Sequence, residues 1–251
     1  MRSIFVGLAA ASAAATLAVA PAQAVPATPC TSPLSSTTTG SLVVPAGETC
    51  TLTDVVVDGN IHIRAGGALL THGSTLQGNV VGNNGPRTVQ LINTDLVGNG
   101  TTGNINLSGT KRRIIIGSEG CAVDPATGNN INLTGNHGNI AICYMTVGET
   151  IDLKNNDGRI GVFHNVSGNP LIVQNNVSPF IRLRDNEAGV TGGGSILVQN
   201  NTTTGNATNP NGLLLMRNYA HNRLTCLDND VAPVGSGNTA DNGKDGQCVD
   251  L

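Results

Sequence analysis

The pair Gly-Asn followed by an aliphatic residue returns along this chain at a nearly fixed interval. It stands at Gly59-Asn60-Ile61 and Gly78-Asn79-Val80, with related pairs at Gly98-Asn99, Gly128-Asn129, Gly148-Glu149 and Gly168-Asn169. Successive intervals are 19, 20, 30, 20 and 20 residues, the long one holding a turn-rich insertion around Asp124-Pro125. A second register runs through it. Short apolar or alternating runs recur as Ile105-Asn106-Leu107, Ile131-Asn132-Leu133, Ile151-Asp152-Leu153, Ile172-Val173 and Ile196-Leu197-Val198. A companion set follows each, from Ile114-Ile115-Ile116 and Ile140-Ala141-Ile142 to Leu213-Leu214-Leu215. Each run reads as a strand of four or five residues bounded by turn formers. A unit of about twenty residues cannot bury its apolar face alone, whereas stacked units bury it in columns. The repeat therefore predicts an all-β, right-handed parallel β-helix (a solenoid) of about nine coils, each of about twenty residues. A propeller blade needs about 40 residues, and the leucine-rich consensus is missing.

The composition fits a coil whose corners are turns. The chain of 251 residues holds 33 Gly and 30 Asn, no Trp, three Lys and four Glu, which disfavours a helical bundle. Three positions past the second apolar residue of the first strand set stand Asn136, Asn156, Asn176, Asn201 and Asn229. The equivalent place in the second set holds Asn165, Asn186 and Asn218. Asn tolerates left-handed backbone, and stacked at the strand spacing its amide can bond the same residue one coil away. Asparagine ladders are the expected result.

Arg2, the apolar run from Ile4 to Ala20 and the Ala22-Gln23-Ala24 cleavage signal read as a signal peptide over 1–24. No later run approaches the about 20 apolar residues of a membrane span, so a secreted protein is expected. Residues 25–39, rich in Pro, Ser and Thr, read as a flexible leader, and 40–251 as the β-helix domain. In an exported chain Cys30, Cys50, Cys121, Cys143, Cys226 and Cys248 suggest disulfides rather than metal ligands. Neighbours 20, 22 and 22 residues apart lie one above another in such a coil, within reach of a bridge. The expected pairs are Cys30–Cys50, Cys121–Cys143 and Cys226–Cys248.

Few residues suggest chemistry. Lyase chemistry needs a carboxylate cluster for Ca²⁺ and a basic residue to take a proton. The candidate zone is Asp152, Lys154, Asp157, His164, Arg182, Arg184 and Asp185, with Arg159 and Glu187 at its margins. A twenty-residue step also stacks Tyr144, His164, Asp185 and Arg217 in one column. No cofactor is implied, Ca²⁺ being needed only by a lyase. The net charge is −3 and no basic patch is evident, so nucleic acid is not an expected partner. The insertions at 120–128, 190–195 and 202–211 are loops thrown out from the coil, of the kind that carries function in solenoids.

The ends of the domain carry further pattern. Leu42-Val43-Val44-Pro45-Ala46-Gly47-Glu48-Thr49-Cys50-Thr51-Leu52 opens it, and Leu224-Thr225-Cys226-Leu227-Asp228-Asn229 with Gly246-Gln247-Cys248 closes it. With the Gly-Asn-aliphatic repeat, these resemble secreted right-handed β-helix repeat proteins of high-GC Gram-positive bacteria, remotely pectin-lyase-like. The resemblance implies fold and export and supplies no catalytic residue, because that group has no assigned activity. Hydrolases of the pectin-lyase-like architecture carry N-T-D, D-D, G-H-G and R-I-K motifs, of which only Asn93-Thr94-Asp95 is matched. The expected function is thus a structural or surface-interaction protein, its partner a cell-envelope or extracellular polysaccharide. The alternative is a polysaccharide lyase or glycoside hydrolase.

Overall fold

A computed structural model describes residues 26–97, 103–121, 126–205 and 212–251. Residues 1–24, expected to be a signal peptide, the Gly98-Asn99 pair, Asp124-Pro125 and residues 206–211 of the last insertion lie outside the described residues. The chain is a right-handed parallel β-helix with three faces. One sheet of eleven strands runs from Thr28–Pro29 to Lys244–Gly246, and a second of ten runs from Leu34–Ser35 to Val234–Ser236. Two shorter sheets, of four and six strands, complete the third face. Every pairing is parallel and in register, as in Ile105↔Ile131↔Ile151↔Leu171. Alternation sends Ile131 and Leu133 inward, both fully buried, and Asn132 outward.

The first sheet counts eleven strands rather than the expected nine coils, and it starts before the expected domain. Thr28–Pro29, inside the stretch that composition assigns to a leader, pairs with Leu42–Val44. Proline is tolerated there because the strand is an edge. Thr28 and Cys30 donate their N–H groups to Ser41 and Val43, while the intervening Pro29 has none to give. At the other end Lys244–Gly246 closes the first sheet against Leu224–Leu227.

The three expected disulfides are formed, with Cα–Cα separations of 5.4, 5.2 and 5.1 Å. Those are strand spacings, so each bridge joins adjacent coils.

The ladders are present, and their mechanism differs from the expected one. Asn136, Asn156, Asn176, Asn201 and Asn229 form one buried stack that ends on Gln247. Asn165, Asn186, Asn218 and Asn238 form another. None of these is in the left-handed region. The residue just before each takes that conformation: Asn155, Asn175, Asn200 and Asp228 at one corner, with φ of 51 to 56°. The ladder Asn then turns inward and bonds the next coil. A third stack links Asn60, Asn79, Asn104 and Asn130 at the remaining corner. Gly103 stacks on Gly78 at this corner, where a Cβ on Gly103 would fall 2.4 Å from the Gly78 oxygen.

Candidate functional site

The outer face of the second sheet gathers side chains that are far apart in sequence. Its strands Arg113–Gly117, Asn139–Cys143, Ile160–Phe163 and Ile181–Arg184 follow one another in register. Their outward middle column reads Ile115, Ala141, Gly161, Arg182. The small residues Ala141 and Gly161 leave a cleft of about 290 Å³, walled by Arg159, Phe163, Phe180 and Arg182. The Phe163 ring folds over Gly161, and a Cβ there would lie 2.5 Å from the ring and push it aside. Arg182 and Arg159 both stack on Phe180, at 5.2 and 5.6 Å from the ring centre, and Arg184 lies 5.6 Å from that of Phe163. Among the described residues, no carboxylate pairs with Arg159 or Arg182. A neighbouring cleft of about 470 Å³ on the same face is lined by Arg87, Arg112 and Arg113 among others.

So the expectation that no basic patch exists is corrected. Arg87, Arg112, Arg113, Arg159, Arg182 and Arg184 are dispersed along the sequence but lie on or beside one face, because the four coils that carry them stack in register.

The corner that follows this face holds the expected column Tyr144–His164–Asp185–Arg217. The Tyr144 and His164 rings stack at 4.5 Å and 9°. His164 Nε2 lies 3.4 Å from Asp185 Oδ2. Arg217 grips Asp185 with Nε at 2.6 Å and Nη2 at 2.8 Å. The hydrogen bond from Arg217 holds the Asp185 carboxyl below its ordinary value, burial opposing and the charges of Arg217, His164 and Arg184 assisting. All four residues have positive φ: 54, 55, 56 and 49°. Asn, Asp or Gly fill this conformation at the neighbouring corner, whereas here it holds Tyr, His and Arg. Left-handed backbone disfavours Tyr and Arg, so the side chains of Tyr144 and Arg217 rather than the turn account for their presence.

The remaining candidates lie elsewhere. Asp152 and Lys154 face outward from the first sheet, where they pair with each other at 2.7 Å. Asp157 stands between the two sheets, bound to His137 Nδ1 at 2.6 Å. The structure thus unites His164, Arg182, Arg184 and Asp185 and separates Asp152, Lys154 and Asp157 from them. Phe163 and Phe180 were missed. Their signal was the twenty-residue step, which stacks Arg159 against Phe180 and Phe163 against Arg184.

A second polar cluster lies on the third face. His221 Nε2 is 2.8 Å from Glu187 Oε1, and the Tyr219 hydroxyl donates to Asp241 at 2.7 Å, which raises the phenol pKa. No group of three or more His, Cys, Asp or Glu suited to a metal ion occurs among the described residues. No helix among them is long and apolar enough to cross a membrane. No family model, curated protein or solved structure matches the chain.

Proposed function

We propose that this is a secreted, non-catalytic surface-interaction protein, a rigid β-helix that grips an acidic polysaccharide of the cell envelope or extracellular matrix. The observation that carries the reading is the pair Arg159 and Arg182, stacked on Phe180 beside an open cleft and without a carboxylate partner among the described residues. A guanidinium so held keeps its fork for a ligand carboxylate, and the planar rings offer a surface to a sugar ring. The overall charge of −3 lacks the broad positive field on which nucleic-acid binding draws, so local carboxylate recognition is favoured. Asp185 is a poor general acid, because Arg217 keeps it ionised. The three disulfides suit an oxidising compartment, and the sequence of residues 1–24 supplies the export signal.

Affinity electrophoresis through polygalacturonate and through neutral dextran tests the proposal. Retardation by the uronate polymer alone, lost in Arg159→Ser/Arg182→Ser, is expected. Unsaturated product absorbing in the ultraviolet would make the protein a lyase instead. Stronger retardation by single-stranded DNA would move the partner to another class.

A further inference from the structure

His164 stands where one ring nitrogen faces both a donor and an acceptor. Its Nε2 is 3.5 Å from Arg184 Nη2 and 3.4 Å from Asp185 Oδ2. A guanidinium only donates, and an ionised carboxylate only accepts. One nitrogen cannot serve both. With a lone pair on Nε2 it accepts from Arg184, and with a proton on Nε2 it donates to Asp185. The charged imidazolium has only the second option.

We propose that His164 is a proton-operated switch on the arginine face, weakening the hold of the corner on Arg184 when it becomes charged. This rests on the polyanion-binding reading of that face. The groups around His164 give the direction. Tyr144 stacks on it from the preceding coil, and Arg184 and Asp185 face it from the next. Arg217 lies behind Asp185 and occupies both of its oxygens. Phe163, the preceding residue, is uncharged, and the nearby Cys143 is disulfide-bonded. Charging His164 removes the acceptor of Arg184 and places a like charge beside it. It also competes for Asp185 Oδ2, which Arg184 Nε otherwise approaches at 3.3 Å. Arg184 is then left to the ring of Phe163 and to the cleft. The face thus gains one free guanidinium and one added charge when His164 takes up a proton.

Dextran sulfate keeps its charge across this range and is the probe. Wild-type protein should bind it about three- to tenfold more tightly at pH 5.5 than at pH 8, the effect of one added charge near the ligand. His164→Asn should remove that difference, and Asn suits the left-handed backbone at this position, so the variant should fold. His62→Asn and His221→Asn, on other faces, should keep it. A flat wild-type profile, or a dependence that survives His164→Asn, would overturn the switch. Absence of binding at every pH would instead overturn the reading of the face. A second readout then decides the switch alone: Tyr144 emission in a Tyr219→Phe background should differ between pH 5.5 and pH 8 only while His164 is present. Emission that is flat with His164 present would refute the proposal.

Discussion

Replacing Asn156 by Ala tests the idea that ladder amides, and not the inner apolar columns alone, hold adjacent coils together. Asn156 is fully buried. Its Oδ1 accepts the Asn136 backbone N–H and the Asn136 amide, each at 2.9 Å. Its Nδ2 donates to the Leu133 carbonyl and to Asn176 Oδ1, each at 3.0 Å. Alanine removes all of these. The Asn136 amide keeps the Leu107 carbonyl, and Asn176 Oδ1 keeps the N–H of residue 156. The Asn136 N–H loses the partner it has at this corner, and the Leu133 carbonyl loses its side-chain donor. One buried unsatisfied group costs ~1–3 kcal/mol, and a further lost bond about 1 kcal/mol. With the space left by the amide added, the expected destabilisation is ~3–5 kcal/mol. Urea titration followed by far-ultraviolet circular dichroism would measure it. Asn156→Asp should fall in the same range, since it cannot donate to the Leu133 carbonyl. A loss under about 1 kcal/mol, within the range of one ordinary hydrogen bond, would refute the ladder as a stabilising element.

Three further outcomes follow from the geometry. Gly138→Ala and Gly161→Ala should part company: a Cβ on Gly138 meets the Arg112 carbonyl oxygen at 2.1 Å, whereas one on Gly161 meets only the movable ring of Phe163. The first should lower the melting temperature by several degrees, while the second should leave it nearly unchanged and weaken polymer binding. Removing the Cys226–Cys248 bridge by double Ala substitution should cost about 3 kcal/mol, the value for a loop of this length. Hydrogen exchange should show Lys244–Gly246 opening before the central coils. Asp185 adds an acid-range dependence. Its pKa is depressed in the folded protein, so its contribution is full above the unfolded value near 4 and is lost as pH falls through the lower folded value. Melting temperatures of Asp185→Asn should therefore fall less than those of the wild type below about pH 4, and 1 M salt should narrow the gap.

Much of this architecture could be read from residue order because a β-helix converts period into position. Asn156 follows Asn136 by 20 residues and is therefore its neighbour one coil on. The same arithmetic stacks Tyr144, His164 and Asp185, whereas Arg217 follows Asp185 by 32 residues. It fails where a coil departs from twenty residues: Asn104 follows Asn79 by 25, and the glycine stacked on Gly78 is Gly103. The edge coil was hidden for another reason. Pro29 and its Ser- and Thr-rich neighbours resemble a linker in composition, and only the edge position makes them compatible with a strand. The site was half legible. Asp152, Lys154 and Asp157 are neighbours of Arg159 in sequence, but the chain turns a corner between them and leaves the first two on another face. The cleft depended on what is small, Ala141 and Gly161, and on phenylalanines from successive coils. Neither carries a motif.

The binding face can be tested residue by residue with an arginine-specific dicarbonyl reagent, in the presence and absence of polygalacturonate. Arg64, exposed on the first sheet's side of the coil, is the internal control. Protection of Arg159, Arg182 and Arg184, with Arg64 modified equally in both samples, is the expected pattern. Protection of Arg64 with Arg159 and Arg182 left fully reactive would contradict the assignment of the second sheet as the interaction face.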